Sequence, residues 1–400
     1  MSIAIQTEVP ASAAGPAAWG AVLSMSLGVV VLIASEFLPV SLLTPIAETL
    51  RITEGQAGQA ISISGVFAVL TSLFSSSLVT RFDRRTVTLF FTSLLIVSGA
   101  IVALAPTYMV MMAGRALLGV AIGGFWSMST ATVMRLVPSD AVPKALAMLN
   151  GGNALAATVA APLGSFLGSI IGWRGAFFAV VPLAVIALVW QLLSMPSIPP
   201  EPEAKPAGKV FRLLRNPAVA YGMAAIFLLF MGQFALFTYL RPFLETVTRV
   251  DISVLSLLLL VIGVAGLAGT SVIGGILNSR LFSVLILIPL GMAAIAVALV
   301  LLGASTIATA ILLGLWGLIS VPAPVGWGTW LSRTVPEDAD AGGGLMVAVI
   351  QLAITLGATA GGMLFDYSGY RSTFLLAAVL LSGSAGMAVM ARKAGAAKAA

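Results

Sequence analysis

Apolar residues along this chain do not alternate, and they do not keep to one face of a helix. They run nearly unbroken for about twenty residues, stop at a few polar, charged, glycine or proline positions, and resume. Runs of that length match a helix that crosses a hydrocarbon layer of about 30 Å at about 1.5 Å per residue. Within lipid every backbone N–H and C=O must be satisfied internally, which leaves helices as the reading for such runs. The pattern predicts twelve helices, at 18–45, 56–79, 86–105, 108–134, 145–170, 175–195, 217–240, 252–277, 282–303, 306–331, 343–365 and 373–391. The expected fold is an all-α polytopic membrane protein, twelve transmembrane helices in two pseudo-symmetric six-helix bundles.

The division into two rests on one interruption and one repeat. PSIPPEPEAKPAGKVFRLLRN, residues 196–216, is the longest polar stretch between apolar runs and is rich in proline and charge. RLVPSDA from Arg135 matches RTVPEDA from Arg333, and GWRGAF from Gly172 matches GYRSTF from Gly369, each at an offset of half the chain. The expected organisation is a cytoplasmic tail over 1–17, a first bundle over 18–195, a cytoplasmic linker over 196–216, a second bundle over 217–391 and a tail over 392–400. Parallel repeats of this kind occur in transporters whose substrate site lies between the halves near the bilayer midplane. Fourteen of the 20 Lys and Arg residues fall in one set of alternate loops and five in the other. The positive-inside rule then places both termini in the cytoplasm. Residues 1–17 hold no Lys or Arg, so no cleaved signal peptide is expected there.

Composition narrows the chemistry. Apolar residues make up 60% of the chain and charged ones only 8%, against about 25% charged in a soluble domain. No Cys and no His occur, which removes disulfides, thiolate and imidazole metal sites and Ser-His or Cys-His catalysis. No phosphate-binding G-x-x-x-x-G-K-[ST] run is present. The chain is read as a non-enzyme without a cofactor, driven by a proton gradient. Its net charge of +6 is spread over many short loops rather than gathered on one face, so nucleic acid is not an expected partner. The bilayer, protons and a small-molecule substrate are, and the chain is expected to act as a monomer.

Two ionisable residues lie well inside the apolar runs. Glu36 falls in the first run, ~13 Å below its far end, and Arg115 falls ~10 Å below the same face in the run 108–134. Intramembrane charges are costly and mark ion or substrate pathways by default, although a purely structural ion pair is the alternative. Similar depth suggests a pair, direct or through water, in which burial and a neighbouring cation act in opposite senses on the carboxyl. A small movement could then switch its proton, and Arg115 stays charged throughout. Phe125, Trp126, Phe237 and Tyr239 offer flat rings, and Asn150, Asn153, Gln233 and Gln351 offer amides. Together these would suit a neutral, planar, hydroxylated solute, while any single one could equally serve helix packing. Trp327 and Trp330 are expected to be interfacial anchors.

The motifs resemble the major facilitator superfamily in its drug:proton antiporter branch. RALLGVAIGG from Arg115 is similar to that branch's R-x-x-x-G pattern, which implies a buried arginine linked to proton movement. AAPLGSFLG from Ala160 is similar to the Gly-Pro antiporter motif, with Ala161 where glycine is preferred and with Pro162 and Gly164 retained. SSLVTRFDRRT from Ser76 resembles the gating loop G-x-L-a-D-R-x-G-R-R in Arg81, Arg84 and Arg85, with Asp83 replacing a glycine. Three arginines that merely fix topology are the alternative there. Longer blocks are similar to the purine ribonucleoside efflux pumps of bacterial inner membranes. They include EFLPVSLLTPIA from Glu36, GGFWSMS from Gly123, GQFALFTYLRP from Gly232, VPAPVGW from Val321 and VAVIQLA from Val347. This resemblance implies proton-coupled export of inosine- and guanosine-type compounds. Sugar or multidrug efflux is the nearest alternative, and a non-transporting membrane receptor a more distant one.

Overall fold

The computed structural model describes residues 17–79, 81–138, 140–200, 212–336 and 339–399. The expected N-terminal tail and the middle of the linker lie outside them. Every regular element is helical among the described residues. The first half is built from α1 (Trp19–Leu50), α2 (Glu54–Val79), α3 (Arg84–Ala103), α4 (Tyr108–Leu136) and α5 (Val142–Ser194). After the 3₁₀ turn Leu213–Arg215 follow α6 (Pro217–Phe237), the single turn α7 (Leu240–Phe243) and a π-turn, Leu244–Thr248. Then come α8 (Ile252–Leu302), α9 (Thr306–Ser320), α10 (Ala323–Thr334) and α11 (Ala339–Ala399).

Nine candidate membrane spans are found among the described residues. Two of these, of 53 and 56 residues, are far longer than one crossing needs. Each is broken at a repeat glycine: Gly172 in α5 (φ 72°, ψ 166°) and Gly369 in α11 (φ 73°, ψ −174°). That backbone region is essentially closed to residues with a Cβ, so the matching sequences GWRG and GYRS make the same sharp turn in both halves. α8 breaks at Arg280 (φ −131°, ψ 33°). Divided at these points and joined by α2, the spans fit the twelve-crossing expectation. The repeat recurs where the sequence motifs do not reach. Arg51 after α1 and Arg249 after the π-turn both adopt the left-handed conformation (φ 55° and 58°).

Some boundaries differ from expectation, and proline accounts for two of the differences. The expected helix 306–331 is two, α9 and α10, because Pro322 brings no N–H to continue the first. The expected helix 217–240 stops at Phe237, just before the turn containing Pro242. α1, in contrast, contains Pro39 and Pro45 and still runs 32 residues. Each proline leaves the carbonyl four residues earlier without its helical donor, and both orphans matter below. Trp327 and Trp330 are not interfacial anchors. Both rings are buried in the core of the second half, edge-to-face at 5.4 Å, and Trp330 lies directly on the bare backbone of Gly222.

α1 packs on α5 and α2 on α4, while α6 packs on α11 and α9 on α8. Between the halves, α2 meets α11 and α5 meets α8. Large side chains such as Leu104, Ile170, Leu301, Ile307 and Val379 face outward, as expected of a lipid-facing surface.

Candidate functional site

The site begins at Pro39. Its missing N–H frees the Ser35 carbonyl on α1, one residue before Glu36. Arg115 of α4, 1% exposed, donates Nη1 to that carbonyl at 2.6 Å. Its Nη2 donates to the Glu36 carbonyl at 3.2 Å and to Ser64 Oγ at 2.9 Å, and its Nε to the Ala60 carbonyl at 2.8 Å. The guanidinium thus fastens α4 to α1 and α2 at once. Gly119 and Gly123 make this approach possible, because a Cβ at either would collide with the Ser64 or Ala68 carbonyl of α2.

Of the two expected forms of the pair, direct or through water, the Glu36 carboxylate, on a residue 4% exposed, does not form the direct one with Arg115. The arginine's donors are committed to three backbone carbonyls, one of them released by proline, and to Ser64 Oγ. Glu36 Oε1 instead accepts a hydrogen bond from Gln351 Nε2 of α11 at 3.4 Å, across the boundary between the halves. The other amide atom, Gln351 Oε1, is buried without a partner among the described residues, and so is Gln233 Oε1 on α6. Such orphaned buried acceptors are rare enough to need an explanation. Beside Gln233, Phe234 stacks on Phe37 of α1 at 5.8 Å and meets Phe237 edge-to-face at 6.1 Å.

The other ring and amide candidates sit elsewhere. Phe125 is buried in the first-half core against Gly28, and Trp126 packs partly buried beside that core. Asn150 is exposed and donates to the Leu146 carbonyl of its own helix, and Asn153 is half-buried. Tyr239 is fully buried, donates to the Ala358 carbonyl at 2.8 Å and stacks on Phe365. In the antiporter-type motif, Ala161 and Pro162 are buried, and Gly164 receives Leu38 and Ser41 of α1.

Sequence reasoning missed a second constellation, toward the face remote from the chain termini. Pro45 frees the Ser41 carbonyl, and Arg241 of α7 donates Nη1 to it from the other half. Arg241 Nε also donates to Glu245 Oε1 at 2.8 Å, and Glu245 Oε2 accepts from Thr44 Oγ1 at 2.6 Å. Nearby, Asp366 of α11 accepts from Thr53 Oγ1 at 2.6 Å and from the Gly55 N–H at 3.0 Å, at the start of α2. Thr359 donates toward Ser62 and Gln59. Among the described residues, the hydrogen bonds between halves run from mid-helix to this face. The halves are therefore closed on each other there. The two internal prolines of α1 were the available signal, since each orphan carbonyl calls for an external donor.

On the opposite face, the loop before α3 is fastened to residues following α5. Asp83 caps α3 through the Arg85 N–H and accepts from Ser197 Oγ and from the Ile198 N–H at 3.1 Å. Partial burial would raise its carboxyl, but the hydrogen bonds from Ser197, Ile198, Arg85 and Thr86 outweigh this and hold it below the usual carboxylate range. The Arg84 N–H donates to the Ile198 carbonyl and Arg85 Nη2 to the Leu192 carbonyl, and Arg81 is exposed.

Two repeated helical bundles, buried charge at their boundary and one closed face define a polytopic membrane protein of the secondary-transporter class. The family model of the Major Facilitator Superfamily matches residues 25–345. The chain belongs to that superfamily. It is 57% identical over 366 residues to "Transcription regulatory protein OpdE" of Pseudomonas aeruginosa, covering 91% of each chain. It is 43% identical over 363 residues to "Purine ribonucleoside efflux pump NepI" of Escherichia coli (strain K12), again covering 91% of each. Among solved structures, it matches an inward-facing, occupied bacterial homolog of the human lysosomal transporter Spinster with a TM-score of 0.78 at 13% identity, covering 95% of this chain and 97% of that one. The nucleoside transporter NupG matches with a TM-score of 0.74 at 13% identity, covering 92% and 99%.

Proposed function

We propose that this chain exports purine ribonucleosides across a bacterial inner membrane in exchange for protons, by alternating access, with both termini in the cytoplasm. The observation that carries the reading is the contact between Glu36 and Gln351, which ties a buried titratable group to the boundary between the halves. A substrate hydroxyl or amino group that donates to the unpartnered Gln351 oxygen would compete for the side chain that now holds Glu36. Glu36 carries the proton. Arg115 keeps α1 in register against α4 and supplies the positive field beside the carboxylate. The likeness to the purine ribonucleoside efflux pump supports the substrate class. Amide acceptors at Gln351 and Gln233 and rings at Phe37, Phe234 and Phe237 suit a flat solute rich in N–H and O–H donors.

A second reading has its own support: the relative named as a transcription regulatory protein is 57% identical. On that reading the transporter scaffold senses a solute and does not move it. Purified chain in liposomes with an imposed pH gradient separates the two. Export predicts gradient-dependent movement of labelled inosine that is lost in Glu36→Gln, with inosine still bound. Saturable inosine binding with no movement under any gradient would establish the sensing reading instead.

A further inference from the structure

The two halves differ on the face that carries the chain termini. In the first half, α5 unwinds after Ser194 and its continuation lies back over the bundle, burying Met195 and Ile198. Carbonyls of the last turn of α5 and of this continuation take up the basic groups below. Leu192 O accepts from Arg85 Nη2 at 2.7 Å, and Pro199 O accepts from Arg135 Nη1 at 3.0 Å. In the second half, α11 stays helical to Ala399 and no such strap exists among the described residues. A cavity of about 550 Å³ opens there instead, walled by Asn216, Arg280, Phe282, Trp330, Arg333 and Gly395. Arg333 is the repeat counterpart of Arg135, in RTVPEDA against RLVPSDA. Neither Arg333 nor Arg280 has a hydrogen-bond or ion-pair partner among the described residues.

We propose that this cavity is a binding site for a phosphate group, held between Arg280 and Arg333 where the first half uses its own strap. Planar guanidinium forks pair with phosphate oxygens through two parallel hydrogen bonds each, and Asn216 adds an amide. Phe282 and Trp330 give the same cavity an apolar side, which suits the glycerol and first methylenes of a phospholipid. The face is the one to which basic loops are assigned, where anionic headgroups concentrate. A phosphate bridging the start of the second segment of α8 to the end of α10 would do for the second half what the Leu192 and Pro199 carbonyls do for the first.

The test uses purified full chain in neutral detergent, with thermal unfolding followed by intrinsic fluorescence and retained lipid counted by native mass spectrometry. Phosphatidylglycerol should raise the melting temperature saturably and diacylglycerol should not. Arg280→Gln with Arg333→Gln should weaken the phosphatidylglycerol response about tenfold or more, the loss of at least 1.4 kcal/mol expected for charge-assisted bonds. Arg280→Lys with Arg333→Lys should retain part of it, and Arg392→Gln on the same face should leave it unchanged. Glycerol 3-phosphate protecting as well as phosphatidylglycerol, with the same dependence on both arginines, would assign the site to a soluble phosphate. An unchanged phosphatidylglycerol response in the double Gln variant, or equal protection by diacylglycerol, overturns the proposal.

Discussion

The Ser35 carbonyl offers a quantitative check on how α1 is held. Pro39 removes its helical donor and Arg115 Nη1 replaces that donor at 2.6 Å. Arg115→Met removes the guanidinium and leaves this carbonyl with nothing, whereas the Glu36 and Ala60 carbonyls keep the N–H groups of their own helices. Pro39→Ala restores a helical N–H to Ser35. The two substitutions should therefore compensate each other. A buried acceptor left unpaired costs about 1–3 kcal/mol, although double-mutant cycles in membrane proteins average only about 0.6 kcal/mol with a maximum near 1.7. That average is low because the lost partner is usually replaced. Here the proline forbids replacement, so a coupling energy near the upper bound, about 1.5 kcal/mol, is expected. The other guanidinium bonds are lost equally in the single and double variants and cancel in the cycle.

The assay is reversible unfolding in mixed micelles at increasing dodecyl sulfate, followed by tryptophan fluorescence, for wild type, both single variants and the double. Pro39→Ala in the Arg115→Met background should recover about 1.5 kcal/mol more than it gives in wild type. Simple additivity, within about 0.3–0.5 kcal/mol, would falsify the claim that the arginine's structural task is to satisfy a proline-orphaned carbonyl.

Three further outcomes follow from other parts of the structure. Arg241→Ala strands the Ser41 carbonyl and takes the cation from Glu245 on the closed face, so a single cysteine at Ala358→Cys, fully buried there in a chain with none of its own, should react several-fold faster with a membrane-impermeant maleimide; unchanged labelling would show that this network does not hold the face shut. Gly172→Ala should destabilise by about 1–3 kcal/mol although, apart from the adjoining backbone, no atom of the described residues lies within 4 Å of the added methyl, and a melting temperature within error of wild type would contradict the backbone argument. Asp83 is held below the usual carboxylate range, so its contribution to stability is fully present above its unfolded value, near 3.8, and is lost as pH falls through the lower folded value; the stability difference between wild type and Asp83→Asn should be constant from pH 6 to 8 and vanish only below about pH 4, and a difference that changes near neutrality refutes the assignment.

The architecture was legible because lipid imposes it. Unbroken apolar runs can only be helices, and the RLVP/RTVP and GWRG/GYRS matches expose the repeat whose glycines make the same turn in each half. Glu36 and Arg115 were legible as isolated charges, and Gln351 as an amide. Their arrangement was not. Opposite charges at similar depth suggest an ion pair, but the sequence does not state that a proline one turn on leaves a carbonyl competing for the guanidinium. Nor does spacing along one chain reveal that Gln351 lies against Glu36, because that contact depends on how the two halves meet. Arg241 and Glu245 fall between the expected helices 217–240 and 252–277, and nothing there marks them, since Arg241's partner across the halves, the Ser41 carbonyl, is a backbone atom with no signature except Pro45. Trp327 and Trp330 were misplaced for a related reason. An aromatic ring near a helix end suits the membrane interface equally well, unless a glycine on a distant helix makes room for it inside.

α1 is thus held by two arginines that do the same local work with opposite consequences for motion. Both cap a carbonyl that a proline has released, six residues apart on one helix. Arg115 belongs to the same half as the carbonyl it serves, so its bonds to α1 and α2 survive any rigid rotation of one half against the other. Arg241 belongs to the opposite half, and its bond to Ser41 must break if the closed face is to open. Glu36 lies between these two fixings, bonded to neither guanidinium through its carboxylate and to Gln351 across the divide. A separation of the halves would therefore strip Glu36 of its Gln351 donor while leaving Arg115 in place. The carboxylate's surroundings would change and its anchoring would not. That is the physical requirement for a proton site that responds to which face is open, and under the proposed exchange the coupling would run through the contact between α1 and α11.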